Sequence, residues 1–430
     1  MMQEANQKEV MHESQEMTPY SWKVLWFVFF AWVFDAADGT IYALTLPMIR
    51  EEFGLSLSQM GMIGSIFLGG AVMGSVILPY LADRKGRRWG MAGCIGLYSV
   101  FSGFTGLAQN FYHLAMARFF TGAGTGGEWP VGAAYLSEVV PAQKRGFAMG
   151  LMQSGYPVGY FLAAAIFAGF VAMNLGWRGC YFILLIPAVM CFWVLTTLQE
   201  SERWLKGREE AYLDSNKAKV SFGELFKPEY RKFTIIGTFL HIFGGFYSWG
   251  LVLWFPSVLM IDFNIDKLTT SYITMFMWGI ATIGYVAAGP LSDKIGRKPT
   301  LTIFVTSSLI CVAFINYLKT IPGVPLSAIY IIAALIGCGM GAHTVLISYS
   351  SEIFPSHVRS LGLGLAVAVG KGTAMLAPFL LGVIAQKYSV SAGVLVAVFI
   401  GWLMVPTILT GPETAQKRLE DIVASPTIRQ

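Results

Sequence analysis

Two aspartates stand three residues apart in an apolar run, Trp32-Val-Phe-Asp35-Ala-Ala-Asp38-Gly39. At that spacing on a helix they share a face. Two carboxylates so close in a low dielectric do not ionise together easily, so the pair is a candidate proton site. The blander reading is a pair of hydrogen-bonded structural carboxylates. Three more charges lie deep in apolar runs: Arg118, Glu128 and Lys371. Charge inside a membrane is costly and usually functional. Arg118 lies about five residues, or roughly 8 Å, into its run, and Asp38 about sixteen residues, or roughly 24 Å, from the other side. In a hydrocarbon core of ~30 Å those depths nearly coincide, so an Asp38–Arg118 pair is geometrically possible. It is either a static clamp between two helices or a coupling device from which Arg118 is released. Lys371 is too far from a helix end to snorkel, so it needs an anion: a carboxylate such as Glu128, or a substrate.

Other candidates are weaker. His343 is more often a satisfied core histidine than a ligand-binding one. Gln153 is the one glutamine in its apolar run. Aromatics crowd two later runs as Phe246, Tyr247, Trp249, Trp254, Trp278 and Tyr285. Tyr247 and Trp249 fall in the Gly-rich stretch Gly244-Gly245-Phe-Tyr247-Ser-Trp249-Gly250. Broken Gly-rich helices at mid-depth often line a cavity, and an aromatic wall suits a ring or a planar carboxylate. The five cysteines, Cys94, Cys180, Cys191, Cys311 and Cys338, all sit in apolar runs without metal-ligand spacing. They are expected to be free buried thiols, and no metal or organic cofactor is expected.

These residues need long apolar helices to hold them. The chain has 430 residues, 55% hydrophobic and 13% charged, with mean hydropathy +0.59. A soluble domain is nearer a quarter charged. An all-α integral membrane protein follows. Spans of ~20 apolar residues can be placed twelve times. The first six are 22–46, 59–81, 89–109, 113–138, 146–172 and 178–199. The last six are 232–260, 270–291, 299–320, 325–352, 360–387 and 390–411. The chain thus divides into a tail 1–21, a six-helix half 22–199, a polar linker 200–231, a second half 232–411 and a tail 412–430. The linker is expected to carry short amphipathic helices. The N-terminal tail lacks the basic-then-apolar pattern of a cleaved signal. The net charge of +5 is modest and gives no nucleic-acid footprint. Lys and Arg concentrate in the loops 82–88, 139–145 and 292–298, whereas the opposite loops carry few cations. The basic loops are therefore placed in the cytoplasm, with both termini.

The halves repeat. Asp83-Arg84-Lys85-Gly86-Arg87-Arg88 returns about 210 residues later as Asp293-Lys294-Ile-Gly296-Arg297-Lys298. Gly122-Ala-Gly124-Thr-Gly126-Gly127-Glu128-Trp129 and Ser137-Glu138-Val-Val-Pro141 to Arg145 return about 214 residues later. Their copies are Gly337-Cys-Gly339-Met-Gly341-Ala342-His343 and Ser351-Glu352-Ile-Phe-Pro355 to Arg359. Glu128 is matched by Ala342, so packing symmetry does not demand a carboxylate there. Two pseudo-symmetric six-helix halves are a transporter signature.

On these motifs the chain resembles the major facilitator superfamily over essentially its whole length. Pro79 stands where that family usually has glycine. Gln199-Glu-Ser-Glu-Arg203 and Gly411-Pro412-Glu413-Thr414 resemble its sugar-porter branch and organic-ion relatives. The Asp-x-x-Asp of the first helix and the Gly-Gly-Glu of the fourth resemble aromatic-acid and sialate-type proton symporters. The resemblance implies a cytoplasmic gate in which Asp83 caps helix 11 near Ser360 and Leu361. Glu138 then pairs with Arg84, Arg87 or Arg145, and Asp293, Arg297, Glu352 and Arg359 repeat the arrangement. The expected function is proton-coupled symport of a small organic anion by alternating access. Asp35, Asp38, Glu128 and Arg118 would handle the proton. Lys371, Arg118, Glu128, Tyr247, Trp249, His343 and Gln153 would contact substrate. A monomer in the plasma membrane is expected, with lipid, the anion and protons as its partners. The alternative is a porter of a neutral sugar or polyol, although the glutamines of such porters are missing. A nutrient sensor would want a soluble domain, and an enzyme would want a catalytic constellation; neither is present in the sequence.

Overall fold

In a computed structural model of the chain, residues 16–141, 144–201, 205, 222–354 and 359–415 are described. They form twelve helical segments. The first half holds α1 (Pro19–Phe53), α2 (Leu57–Lys85), α3 (Arg87–Gly106), α4 (Phe111–Val139), α5 (Arg145–Ala172) and α6 (Arg178–Thr197). The second holds α7 (Pro228–Asp262), α8 (Lys267–Ile295), α9 (Arg297–Leu318), α10 (Leu326–Glu352), α11 (Gly362–Lys387) and α12 (Val390–Leu409). A helix satisfies its backbone internally, as a membrane span must. Ten of the segments are long and apolar enough to cross a bilayer. The other two, α3 and α4, are less apolar, being rich in Gly, Ser and Thr, and α4 also carries Arg118 and Glu128. The amphipathic helices expected in the linker lie outside the described residues, apart from a short 3-10 turn at Phe222–Phe226.

Some helices are capped by neighbouring side chains and two at the basic end by distant ones. At the end away from the basic loops, local side chains do it: Ser56 and Gln59 form a capping box on α2, and Asp266 accepts from the Thr269 amide at 2.9 Å on α8. At the basic end, α3 and α9 begin at Gly86 and Gly296, with φ of 116° and 105° and no capping side chain of their own. Acids from far along the chain substitute. Glu200 accepts from the amides of Arg87 at 2.6 Å and Arg88 at 3.3 Å. Glu413 accepts from Arg297 at 2.9 Å and Lys298 at 3.1 Å. A carboxylate at a helix N-terminus meets both the free amides and the dipole.

Glycines set the crossings inside each half. A Cβ on Gly122 or Gly126 of α4 would lie 2.0 Å from the backbone oxygen of Phe67 or Ala71 on α2. A Cβ on Gly337 of α10 would lie 2.3 Å from the Met277 oxygen on α8. Such small-residue contacts let membrane helices approach closely. The halves meet at the end opposite the basic loops. There Gly61 and Gly64 of α2 receive Pro378 of α11, and the Phe379 amide donates to Ser65 Oγ at 3.1 Å. At mid-depth the Tyr160 and Trp278 rings of α5 and α8 meet at 4.0 Å. The molecule is therefore shut at the end away from its basic loops. A cavity of about 770 Å³ lies on that side, between residues 47–55 and 260–267, and is remote from the deep charges.

The break expected in helix 7 is absent from the Gly-rich stretch. The α-helix runs on from Pro228 to Ser257, and only then widens into a π-turn, Val258–Asp262, just past Pro256. The breaks fall elsewhere: α10 is interrupted between Gly339 and Ala342, and α11 between Ala374 and Ala377, before Pro378. The α11 break precedes Pro378, whose ring removes a donor and clashes with the preceding turn, whereas the α10 break falls at Gly339-Met-Gly341.

Candidate functional site

The deep charges separate into two sets, and only the electrostatic contact of Asp35 with Lys371 crosses from one half to the other among the described residues. Asp38 and Arg118 form the first. Arg118 Nη1 lies 2.8 Å from Asp38 Oδ2 and donates to Oδ1 at 3.0 Å, and Ser102 Oγ donates to Oδ1 at 2.5 Å. The Tyr42 and Phe67 rings cover the guanidinium, 4.5 Å and 4.6 Å from its carbon. Charge, hydrogen bond and ring contact together make such burial tolerable.

Asp35 belongs to the second set. It is half-buried and has no hydrogen bond or ion pair among the described residues. The two aspartates share a helix face, yet Arg118 has claimed only Asp38. Glu128 on α4 is within electrostatic range of Asp35. Glu128 is 1% exposed, and neither of its oxygens has a partner among the described residues. An ionised carboxylate so placed would be left uncompensated, whereas the neutral acid is accommodated. Lys371 on α11, in the other half, is half-buried and has no salt bridge among the described residues. Its electrostatic neighbour is Asp35.

Aromatic side chains surround these groups. Trp32 lies against Tyr156 with ring centres 5.0 Å apart, and Tyr160 Oη donates to Tyr156 Oη at 2.7 Å. Across the seam Tyr285 stands 6.4 Å from His343. Trp249 meets Phe67 at 5.9 Å, so it touches the lid of the Arg118 pair. Gln153 accepts from the Trp129 indole at 3.1 Å.

Tyr247 is a correction. It is 1% exposed, its hydroxyl shares a 2.8 Å hydrogen bond with Ser308 of α9, and its ring packs on Gly401. The rotation of α7 turns it into the second half, away from the seam. Sequence reasoning missed Trp32, Tyr156, Ser102 and His241. Each is a polar or amphipathic side chain in an apolar run, a signal too common to single them out without helix rotation. Of the five cysteines, all free, Cys191 and Cys338 are only half-buried.

The family model of the Major Facilitator Superfamily matches residues 28–370 and 273–427. The chain belongs to this superfamily. Among its relatives, a probable 4-methylmuconolactone transporter of Cupriavidus pinatubonensis is 28% identical over 82% of this chain and 81% of its own. A sialic acid transporter of Escherichia coli is 28% identical over 89% of this chain and 92% of its own. A D-xylose-proton symporter structure superposes with a TM-score of 0.77 at 21% identity, covering 93% of this chain and 99% of its own. The chain is accordingly a multi-pass membrane transporter, not an enzyme.

The superfamily's charged loops are engaged at the basic end. Arg87 Nη2 lies 2.8 Å from Glu138, while Arg84 stacks on Tyr80 at 4.6 Å. In the second half Arg297 bridges Asp293 at 2.6 Å and Glu352 at 2.8 Å. The side chains of Asp83, Arg145, Arg359, Ser360 and Leu361 lie outside the described residues, and with them the expected Asp83 cap on α11.

Proposed function

We propose that this transporter carries a small organic anion, a carboxylate or an acidic sugar, together with protons, by alternating access. The observation that carries the reading is the chain of groups from Glu128 through Asp35 to Lys371. Among the described residues Glu128 is buried with both oxygens unpartnered and Asp35 has no partner, and Lys371 of the other half lies within electrostatic range of Asp35. A carboxylate that is neutral when buried and ionised when wet is suited to carry a proton across. An ammonium with no salt bridge among the described residues is suited to receive a substrate carboxylate. The aromatic wall of Trp32, Tyr156 and Tyr285 suits a planar acid. The relatives named for organic acids, among them muconolactone, niacin and sialic acid carriers, agree with this chemistry.

In this reading Asp35 and Glu128 carry the proton. Asp38–Arg118 couples their state to the packing of α1 on α4, and Lys371 binds the anion. Trp249, His343 and the Trp129–Gln153 pair border the site. Protons are the coupling ion and no organic cofactor takes part. The basic loops lie in the cytoplasm of a bacterial-type inner membrane with both termini, so the closed end faces out. The protein works as a monomer. The paired loops at the basic end, Asp83, Arg84, Arg87, Glu138 and Arg145 with Asp293, Arg297, Glu352 and Arg359, act as the inner gate.

Uptake into proteoliposomes tests the proposal. Labelled benzoate, niacin, N-acetylneuraminate and xylose are offered with and without an inward proton gradient. Gradient-driven accumulation of one or more acids and not of xylose is expected. Xylose accumulation without acid uptake would replace this reading with the neutral-sugar one.

A further inference from the structure

The acids and bases of the site are divided between the halves. Asp35 and Glu128 belong to the first, and His241, His343 and Lys371 belong to the second. The repeat sharpens the contrast. The offset of about 214 that matches Glu128 with Ala342 matches Trp129 with His343. The offset of about 209 between the helix starts Pro19 and Pro228 matches Trp32 with His241. Two indoles of the first half are thus imidazoles in the second.

His241 packs against α11 at Gly370, the residue before Lys371. A Cβ on Gly370 would lie 2.6 Å from His241 Cβ, so α11 packs on α7 directly before the lysine. His343 is within electrostatic range of His241. The hydrogen bonding of His241 is half complete. Its Nδ1 is 2.9 Å from the Gly237 carbonyl, which can only accept. Nδ1 therefore carries the proton, and in the neutral ring Nε2 is an acceptor. That Nε2 is buried and has no partner among the described residues. A buried acceptor without a donor is costly, and a ligand supplying one removes the cost.

We propose that His241 Nε2 accepts a hydrogen bond from a second group of the substrate, a hydroxyl or N–H lying close to its carboxylate. The transported anion is then a hydroxy or amino acid, not a bare carboxylate. The carboxylate half of this statement rests on the function proposed above; the donor half rests on His241. A site built to bond a substrate hydroxyl discriminates against the analogue that lacks it, because its own polar group is then stranded.

Binding to the purified full-length protein tests this in a ring series and a chain series. The ring series is benzoate, the three monohydroxybenzoates and their methoxy ethers. The chain series is propionate against lactate and 3-hydroxypropionate. In at least one series the parent protein should bind a hydroxy acid about tenfold more tightly than the acid or ether without the donor, the scale of one buried hydrogen bond. His241→Phe should abolish that preference, weakening the hydroxy acid more than benzoate or propionate. His241→Gln, which keeps an acceptor, should restore part of it. No preference in either series, or a preference that survives His241→Phe, overturns the proposal. So does an equal loss for hydroxy and plain acids in both variants. Hydroxybenzamides separate the two readings. If they bind as well as the acids, the anion reading fails, while the effect of His241→Phe on the hydroxyl preference still decides this one.

Discussion

Arg118 and Asp38 form an ion pair 2.8 Å long, with 1% and 0% of their side chains exposed. Phe67 covers the pair and itself touches Trp249 of the second half. The pair thus sits directly beneath the contact that closes the halves. Removing one partner leaves the other buried and uncompensated, at about 3–5 kcal/mol. Asp38→Asn should therefore lower the melting temperature of the purified protein more than Asp35→Asn does. Adding Arg118→Met to Asp38→Asn should recover much of the loss. A double variant no more stable than Asp38→Asn would show that the charges are not coupled.

Glu128→Gln tests the proton site. Glutamine is the neutral isostere, so the melting temperature should change little, as expected if the folded state already holds the protonated acid. Accumulation driven by a proton gradient should fall to background in Glu128→Gln and in Asp35→Asn, while counterflow exchange persists. Full gradient-driven uptake in both variants would remove these groups from the coupling.

Lys371→Met tests the anion site. Binding of an acid should weaken by roughly 2–5 kcal/mol if the pair is desolvated, that is, by a factor of about thirty or more. Binding of the matching amide should hardly change. Isothermal titration with benzoate and benzamide, on parent and variant, reads the difference. Equal losses for both would point to a packing role for the lysine.

The closed end depends on the absence of side chains at Gly61 and Gly64. A Cβ on Gly61 would lie 2.1 Å from the Pro378 oxygen. Gly61→Val should hold the halves apart at that end and slow exchange transport. Labelling of a cysteine introduced at Ser65 should rise in the Gly61→Val background. Unchanged labelling would mean that the seal lies elsewhere.

Glu413 gives a pH-dependent cap. Its partial burial opposes ionisation, but the amides of Ala415, Arg297, Lys298 and Thr414 outweigh this and hold its carboxyl below the usual range. A carboxyl whose folded value is depressed stabilises the fold above its unfolded value. That contribution is lost as pH falls from about 4.5 through the lower folded value. Glu413→Gln should lower the melting temperature at pH 7, and the gap to the parent should narrow at pH 4. Solvent screening keeps the effect modest. A gap that is constant with pH would assign the loss to shape alone.

Much of this protein is determined by its sequence alone. Apolar runs of span length, the repeated Asp-to-Arg loops and the glycines facing Phe67 and Met277 specify a twelve-helix, two-half membrane bundle. Those features act locally or through depth, and depth can be counted along a helix at a fixed rise. Depth also foretold that Asp38 and Arg118 meet. Rotation and lateral approach are another matter. A rise per residue says nothing about which neighbour a side chain faces. Only the tertiary structure turned Tyr247 onto Ser308 and left Asp35 without an ion pair among the described residues, within electrostatic range of Lys371. The caps of α3 and α9 were equally hidden: Glu200 and Glu413 reach amides more than a hundred positions away in the chain. Packing of whole helices brings such pairs together, and no pattern within a single helix encodes it.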